Sequence, residues 1–290
     1  MSPSEPDRAG GKTSAPGTSA LSAASVSATD HWITLPDRGR YHYVTAGKAD
    51  KPLLAFFHGL ADSWRSIAPL IPYLTDDFQI VALDQRGHGE TGDRFASYAP
   101  ADFAGDAETF IATLDRQPAA LVGHSMGSMV VQRVAAERPQ AARSLVLIGG
   151  TDTCAGNPVL KELASEIANL PDPVPVNFIA SFQASTVHDP LPAGFLDAFV
   201  ADSVKLTRRV WQETVGGLME DSLIVGPQIK APTLILWGEH DSVFDSTTQK
   251  RLRASLGDAV FIGYAEVGHA PHWERPEIVA RAIRQFVDQR

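Results

Sequence analysis

Gly123-His124-Ser125-Met126-Gly127 is the stretch whose reading decides the fold. The apolar pair Leu121-Val122 leads into it, and the run from Ser128 to Glu137 reads as a helix on the far side. A Gly-x-Ser-x-Gly between a strand and a helix describes a tight turn that lifts a serine hydroxyl above the edge of a sheet. The glycines two before and two after the serine sit where the turn presses against neighbouring backbone. Only a residue without a Cβ fits there easily, and the serine itself is held strained. The same five-residue pattern also occurs as an ordinary glycine-rich turn, so the segments on either side carry the decision.

Upstream, His31 to Leu35 and Arg40 to Thr45 read as two strands of a hairpin turned at Pro36-Asp37-Arg38-Gly39. Leu53 to Phe57 is a continuous apolar run suited to a central strand covered on both faces. It ends in His58-Gly59-Leu60. A helix is predicted from Ser63 to Leu74, then a strand from Gln79 to Leu83 that stops at Asp84-Gln85-Arg86-Gly87-His88-Gly89, then a helix from Asp102 to Leu114. After the Ser125 turn and its helix comes the strand Ser144 to Ile148. Such alternation of buried strands with amphipathic helices means a mostly parallel sheet with helices on both faces, an α/β architecture.

The rhythm breaks from Thr151 to Gln228. That stretch has no clear strand, carries proline-rich joints at Pro171-Asp172-Pro173-Val174-Pro175, and reads as a helical insertion too long to be a loop. Alternation resumes with the strand Thr233 to Trp237, which ends at Gly238-Glu239-His240-Asp241. A helix from Ser246 to Leu256, the strand Val260 to Tyr264, Gly268-His269 and a closing helix from Pro276 complete the chain. The expected organisation is therefore a tail over residues 1–30, a core over 31–150 and 229–290, and a helical cap over 151–228. The tail is Ser, Ala, Pro, Gly and Thr with few large apolar side chains, so it is expected to be disordered. It lacks the continuous apolar stretch of a signal peptide, and no segment approaches the length of a membrane span; a cytoplasmic location is the expectation.

Composition narrows the partners. The net charge is −9, from 25 basic and 34 acidic side chains, which leaves no basic stripe for nucleic acid and no polybasic membrane patch. The single cysteine, Cys154, excludes an internal disulfide and a cysteine-based metal cluster. The sequence shows no His/Asp cluster at ligand spacing and no Gly-x-Gly-x-x-Gly followed by an acidic residue on the next strand, so no metal and no cofactor are expected.

From residue 31 to 290 the chain resembles the α/β-hydrolases of the single-domain esterase and lactonase kind. The resemblance rests on His58-Gly59, the Asp84-x-Arg86-Gly87-His88-Gly89 loop, the Gly-His-Ser-Met-Gly turn, the Gly-x-x-Asp ending at Asp241 and the Gly-His at 268 and 269. It implies a Ser, acid, His order along the chain. Serine is a poor nucleophile unless a base takes its proton, and imidazole suits that task near neutral pH; His269 is the expected base and Ser125 the nucleophile. A fixed carboxylate must orient the imidazole, and Asp241 is expected there. Asp152, just past the strand ending at Ile148, competes for that place, and His272 competes with His269. Charge on a substrate carbonyl needs preorganised donors, expected from the backbone amides of Leu60 and Met126. His58 and His88 are implied to brace loops, and Asp84 and Arg86 read as an ion pair or loop brace.

The cap is expected to cover the strand ends, with Trp64, Phe182, Trp211 and Trp273 joining Leu60 and Met126 around an apolar pocket. The leading expectation is a serine hydrolase of small carboxylic esters or lactones. The same triad admits carbon-carbon cleavage of a diketone or cofactor-free perhydrolysis, and a ligand receptor built on the fold is the alternative of another class. Whether Lys161, Lys205, Arg208 and Arg209 serve an acidic substrate is left open. Dehalogenase and epoxide-hydrolase readings lose weight because both normally place an aspartate where Ser125 stands.

Overall fold

The computed structural model describes residues 27–289, and residues 1–26 of the expected tail lie outside them. Within the described part the tail prediction runs too far. Thr29 and Asp30 already belong to strand β1 (Thr29–Leu35), which pairs antiparallel with β2 (Gly39–Ala46) from Thr29 opposite Thr45 onward. Sheet pairing supplies the backbone partners that composition could not reveal.

The remaining strands are β3 (Leu53–Phe57), β4 (Gln79–Leu83), β5 (Ala119–His124), β6 (Ala142–Ile148), β7 (Thr233–Gly238) and β8 (Val260–Tyr264). They form one sheet in the order β1-β2-β4-β3-β5-β6-β7-β8. The β1 and β2 hairpin joins β4 antiparallel, and every pairing from β4 to β8 is parallel. Successive side chains of a strand point to opposite faces, and here both faces are covered. Leu53, Ala55 and Phe57 enter one apolar cluster while Leu54 and Phe56 enter the other. Leu145 and Leu147 separate from Val146 and Ile148 in the same way. The unbroken apolar runs of β3 and β6 are thus explained by two buried faces.

Helix α1 (Ile71–Leu74) follows a 3₁₀ turn over Trp64–Leu70. The single helix expected from Ser63 to Leu74 is split there because Pro69 and Pro72 donate no backbone hydrogen bonds. Helices α2 (Pro100–Thr113) and α3 (Met126–Glu137) pack on one face of the sheet. Between β6 and β7 the described residues form no strand but four α-helices, α4 (Pro158–Ala168), α5 (Val176–Ser185), α6 (Asp197–Ser203) and α7 (Arg208–Glu220), and a 3₁₀ turn over Gly226–Gln228. Asn157 and Thr207 start α4 and α7 by accepting from the amides of Leu160 and Val210. Leu160, Leu163, Val210 and Leu218 share an apolar cluster with Met129 and Val130 of α3. Helix α8 (Ser246–Leu256) follows β7. The short α9 (Pro271–Glu274), absent from the sequence prediction, precedes α10 (Pro276–Asp288), which covers the opposite face with Val279, Ile283 and Phe286. Among the described residues no helix is long and apolar enough to cross a membrane.

Candidate active site

Ser125 stands between the end of β5 and the first residue of α3 with φ of 51° and ψ of −117°, a left-handed conformation that costs a non-glycine residue energy and persists only when the surroundings impose it. The surroundings here are tight. A Cβ on Gly123 would overlap the Gly127 carbonyl oxygen, and one on Gly127 would overlap the Phe57 carbonyl oxygen. The Ser125 amide donates to Ile148 O at 2.9 Å, tying the turn to the end of β6. The serine is half-buried, at the floor of a cavity of about 460 Å³.

His269 lies in the loop after β8 and faces Asp241 in the loop after β7. Its Nδ1 is 2.9 Å from Asp241 Oδ2 and 3.0 Å from Oδ1. A carboxylate only accepts, so Nδ1 carries the proton in this arrangement and Nε2 is left free to take one. Asp241 is buried, and its Oδ1 also accepts from the amides of Val243 and Phe244 at 2.8 and 2.9 Å. Those bonds fix the carboxylate independently of the histidine. Gly149, at the end of β6 with φ of 51°, packs against the His269 backbone so closely that a Cβ there would overlap the His269 carbonyl oxygen. Ser125 and His269 line the same cavity, together with Leu60 and Met126. Met126 opens α3 with no side-chain cap, and the first amides of a helix have no carbonyl one turn back to receive them.

The rivals are engaged elsewhere. Asp152 accepts from Arg251 Nη2 at 2.9 Å and from the Thr153 amide at 3.0 Å. His272 is buried, pushed well below the ordinary imidazole range by that burial, and bonded through Nε2 to Ser66 Oγ at 3.1 Å. Asp84 accepts from the amides of Trp64 and Glu90 and contacts His42 Nδ1 at 2.8 Å. Arg86 makes a two-point contact with Asp106, Nε at 2.6 Å and Nη2 at 2.7 Å. His58 accepts the Gln85 amide and His88 Nδ1 meets Arg86 O, so all four hold loops.

Of the expected pocket aromatics, Phe182 and Trp273 line the cavity and two do not. Trp211 is wholly buried behind the wall, edge-on to Phe182 at 5.0 Å and to Phe178 at 5.8 Å, and supports those rings from behind. Trp64 is turned away: its amide is spent on Asp84 and its ring carries the Arg65 guanidinium 4.9 Å above it. Phe178, another aromatic residue of the insertion, also lines the cavity; the sequence reading missed Phe244 and Gln183 there, and it missed Asp62 and His124, which stand beside Ser125. Asp62 Oδ2 would lie 3.2 Å from a Cβ on Gly59, as would Ser125 Cβ. A signal was present, since Asp62 is two residues from Leu60 and His124 is inside the turn motif. The charged side chains around the cavity are Asp62, Glu162 and Glu166, and among the described residues no lysine or arginine lines it. Lys205 pairs with Glu90 and Asp202, Arg208 with Leu170 O, and Arg209 with Glu213.

Residues 52–276 match the family described as the alpha/beta hydrolase fold. The chain belongs to that family. This α/β hydrolase is similar to 2-(acetamidomethylene)succinate hydrolase of Mesorhizobium japonicum, with 29% identity over 278 residues that span 90% of this chain and 97% of the relative. Its fold is that of an esterase from Exiguobacterium antarcticum, at a TM-score of 0.79 and 16% identity over 89% of this chain and 98% of that one. It is equally that of the enol-lactonase from Burkholderia xenovorans LB400, at 0.77 and 18% over 89% and 100%. Ser125, Asp241 and His269 stand beyond the C-terminal ends of the parallel strands, where open α/β sheets gather their ligands.

Proposed function

We propose that this α/β hydrolase cleaves carboxylic esters or lactones of small, largely apolar, uncharged or cationic substrates through an acyl-enzyme. The observation that carries the reading is the buried His269–Asp241 pair, whose His269 lines the same cavity as a serine held in the strained turn. In this mechanism Ser125 Oγ attacks the acyl carbon while His269 Nε2 takes its proton. The carbonyl oxygen gains the negative charge against the Leu60 and Met126 amides. Collapse expels the alkoxide, which leaves with the proton returned by His269, and water then repeats the sequence to free the acid and restore Ser125. No step calls for a cofactor. In this reading residues 151–228 serve as a cap over the core formed by 31–150 and 229–290.

The name of the Mesorhizobium relative specifies a substrate with two carboxylates. Transfer of that substrate is disfavoured, because Glu162, Glu166 and Asp62 line the cavity and, among the described residues, no lysine or arginine lines it. Like charges in a low-dielectric cleft repel strongly, and the same argument weighs against an acidic diketone. The test combines fluorophosphonate labelling with a panel of p-nitrophenyl acetate, butyrate and hemisuccinate. Labelling at Ser125, multiple turnovers on the neutral esters and a lower kcat/KM for the hemisuccinate are expected. Release of a single equivalent of product, or preference for the hemisuccinate, overturns the reading.

A further inference from the structure

We infer that His188, His240 and Glu266 form a binding site for a divalent transition-metal ion, Zn²⁺ being the best match, on the outer side of the two loops that carry Asp241 and His269. His188 Nε2 lies 3.2 Å from Glu266 Oε2 and His240 Nε2 lies 3.9 Å from Glu266 Oε1. One ligand atom from each of the three side chains falls within 4.8 Å of the others. Zinc bonded to imidazole nitrogen and carboxylate oxygen at about 2.0–2.2 Å needs ligand atoms about 3.3 Å apart in a tetrahedral shell. One edge, His188 to Glu266, is near that length at 3.2 Å, and in the inferred site the His240–Glu266 edge, at 3.9 Å, shortens on binding. The two imidazoles stack at 3.9 Å with planes 21° apart, and because a metal lies in the plane of each imidazole that ligates it, one ring turns out of the stack on binding. Three protein ligands and a water complete a four-coordinate zinc.

The backbone beneath the site is assembled without metal. Glu274 accepts from the Gly268 amide at 2.7 Å and from the His188 amide at 3.2 Å, and the His240 amide donates to Val267 O at 2.9 Å. A Cβ on Gly268 would come within 2.6 Å of the His188 nitrogen, so the connection between α5 and α6 already rests on the His269 loop. Loops already fixed beneath the three side chains leave only their rotamers to be ordered on binding. The spacing along the chain hides it, because the three residues come from three distant segments. The bound ion would strap the α5–α6 connection to both loops, stabilising the folded state by mass action. This inference does not rest on the proposed reaction.

The test is calorimetric titration of the tag-free full chain with ZnCl₂, and with CoCl₂ followed by its d–d absorption, for the wild type and for H188A, H240A, E266A and the H188A/H240A double variant. One equivalent is expected to bind the wild type, each single change weakening it by at least about tenfold and the double change removing the visible cobalt bands. At a hundredfold excess of Zn²⁺ over Kd, Tm is expected to rise by about 5 °C in the wild type only. Absence of a stoichiometric binding event, or an unchanged Kd and Tm rise in the double variant, overturns the site. The three side chains are exposed, so the variants fold as the wild type does.

Discussion

Asp62 Oδ2 lies 3.3 Å from His124 Nδ1, so a second carboxylate and imidazole face each other under the loop that carries Leu60. Asp62 also accepts from Ser66 Oγ at 3.1 Å and Gln183 Nε2 at 3.3 Å, joining the 3₁₀ turn and α5 to the floor of the cavity. Replacing Asp62 by Ala strands those buried donors, which costs about 1–3 kcal/mol. It also loosens the Leu60 amide, so kcat is expected to fall while KM for a neutral ester changes little. Asp62→Asn keeps an acceptor and is expected to be milder in both respects. Urea unfolding and steady-state kinetics on the two variants check this; equal kcat in D62A and wild type refutes the link to Leu60.

The competition between the two candidate acids has a measurable outcome. Asp241→Asn is expected to lower kcat/KM by about 10⁴-fold, because the amide holds His269 in the wrong tautomer. Asp152→Asn is expected to stay within about fivefold of wild type, since its partner Arg251 is largely exposed and such pairs contribute little. Ser125→Ala and His269→Ala are expected to leave no turnover above background. A D152N variant more damaged than D241N reverses the assignment.

Gly149 offers a test of how His269 is placed. Its φ of 51° and its contact with the His269 backbone mean that Gly149→Ala must displace the His269 loop. Misplacing a reacting group by about 1 Å costs on the order of 10²-fold, so kcat is expected to drop steeply although Gly149 touches no substrate. A Ser125 reactivity toward fluorophosphonate that matches wild type would show the loop has not moved.

Histidines give the stability curve its shape. Burial holds His58, His124 and His272 below the ordinary imidazole range and pushes His88 down to about 3. In the unfolded chain each titrates near about 6.5. Below that pH the unfolded state takes up protons that the folded state refuses, so stability falls as pH drops, until each folded pKa is reached. His42 acts in the opposite sense. Burial works against its charge, but Asp84 and Asp30 outweigh that and raise its pKa. Its contribution is complete below about pH 6.5 and lost as pH rises through the folded value. Urea midpoints between pH 5 and 9 are expected to decline below pH 6.5, with a smaller alkaline decline absent in His42→Gln. A flat curve from pH 5 to 6.5 contradicts the neutral burial of those four rings.

Much of this molecule is legible in its sequence because period and punctuation are local. The strands Val260 to Tyr264 and Thr233 to Trp237 and the helix Ser246 to Leu256 follow from apolar runs and caps within a few residues of their observed bounds. That Ser125, Asp241 and His269 come to one side of the sheet is legible because each follows a strand. What escaped depends on contacts between distant segments. Phe182 on α5 and Trp211 on α7 are both aromatic residues of the insertion between β6 and β7, and only packing decides that the first faces the cavity and the second stands behind it. Thr29 and Asp30 look like tail until β2 supplies their partners.

The stitching between the α5–α6 region and the core limits how this scaffold can be re-engineered. Asp202 on α6 receives Ser63 Oγ at 2.6 Å and Ser203 Oγ donates to Ala61 O at 2.6 Å, while the Ala270 amide donates to Thr186 O at 3.1 Å. A foreign segment grafted between β6 and β7 to alter selectivity would sever the ties of both loops that flank Ser125. Turnover and selectivity would then shift together, and a workable cassette has to carry residues 60–65 and 266–272 along with the graft.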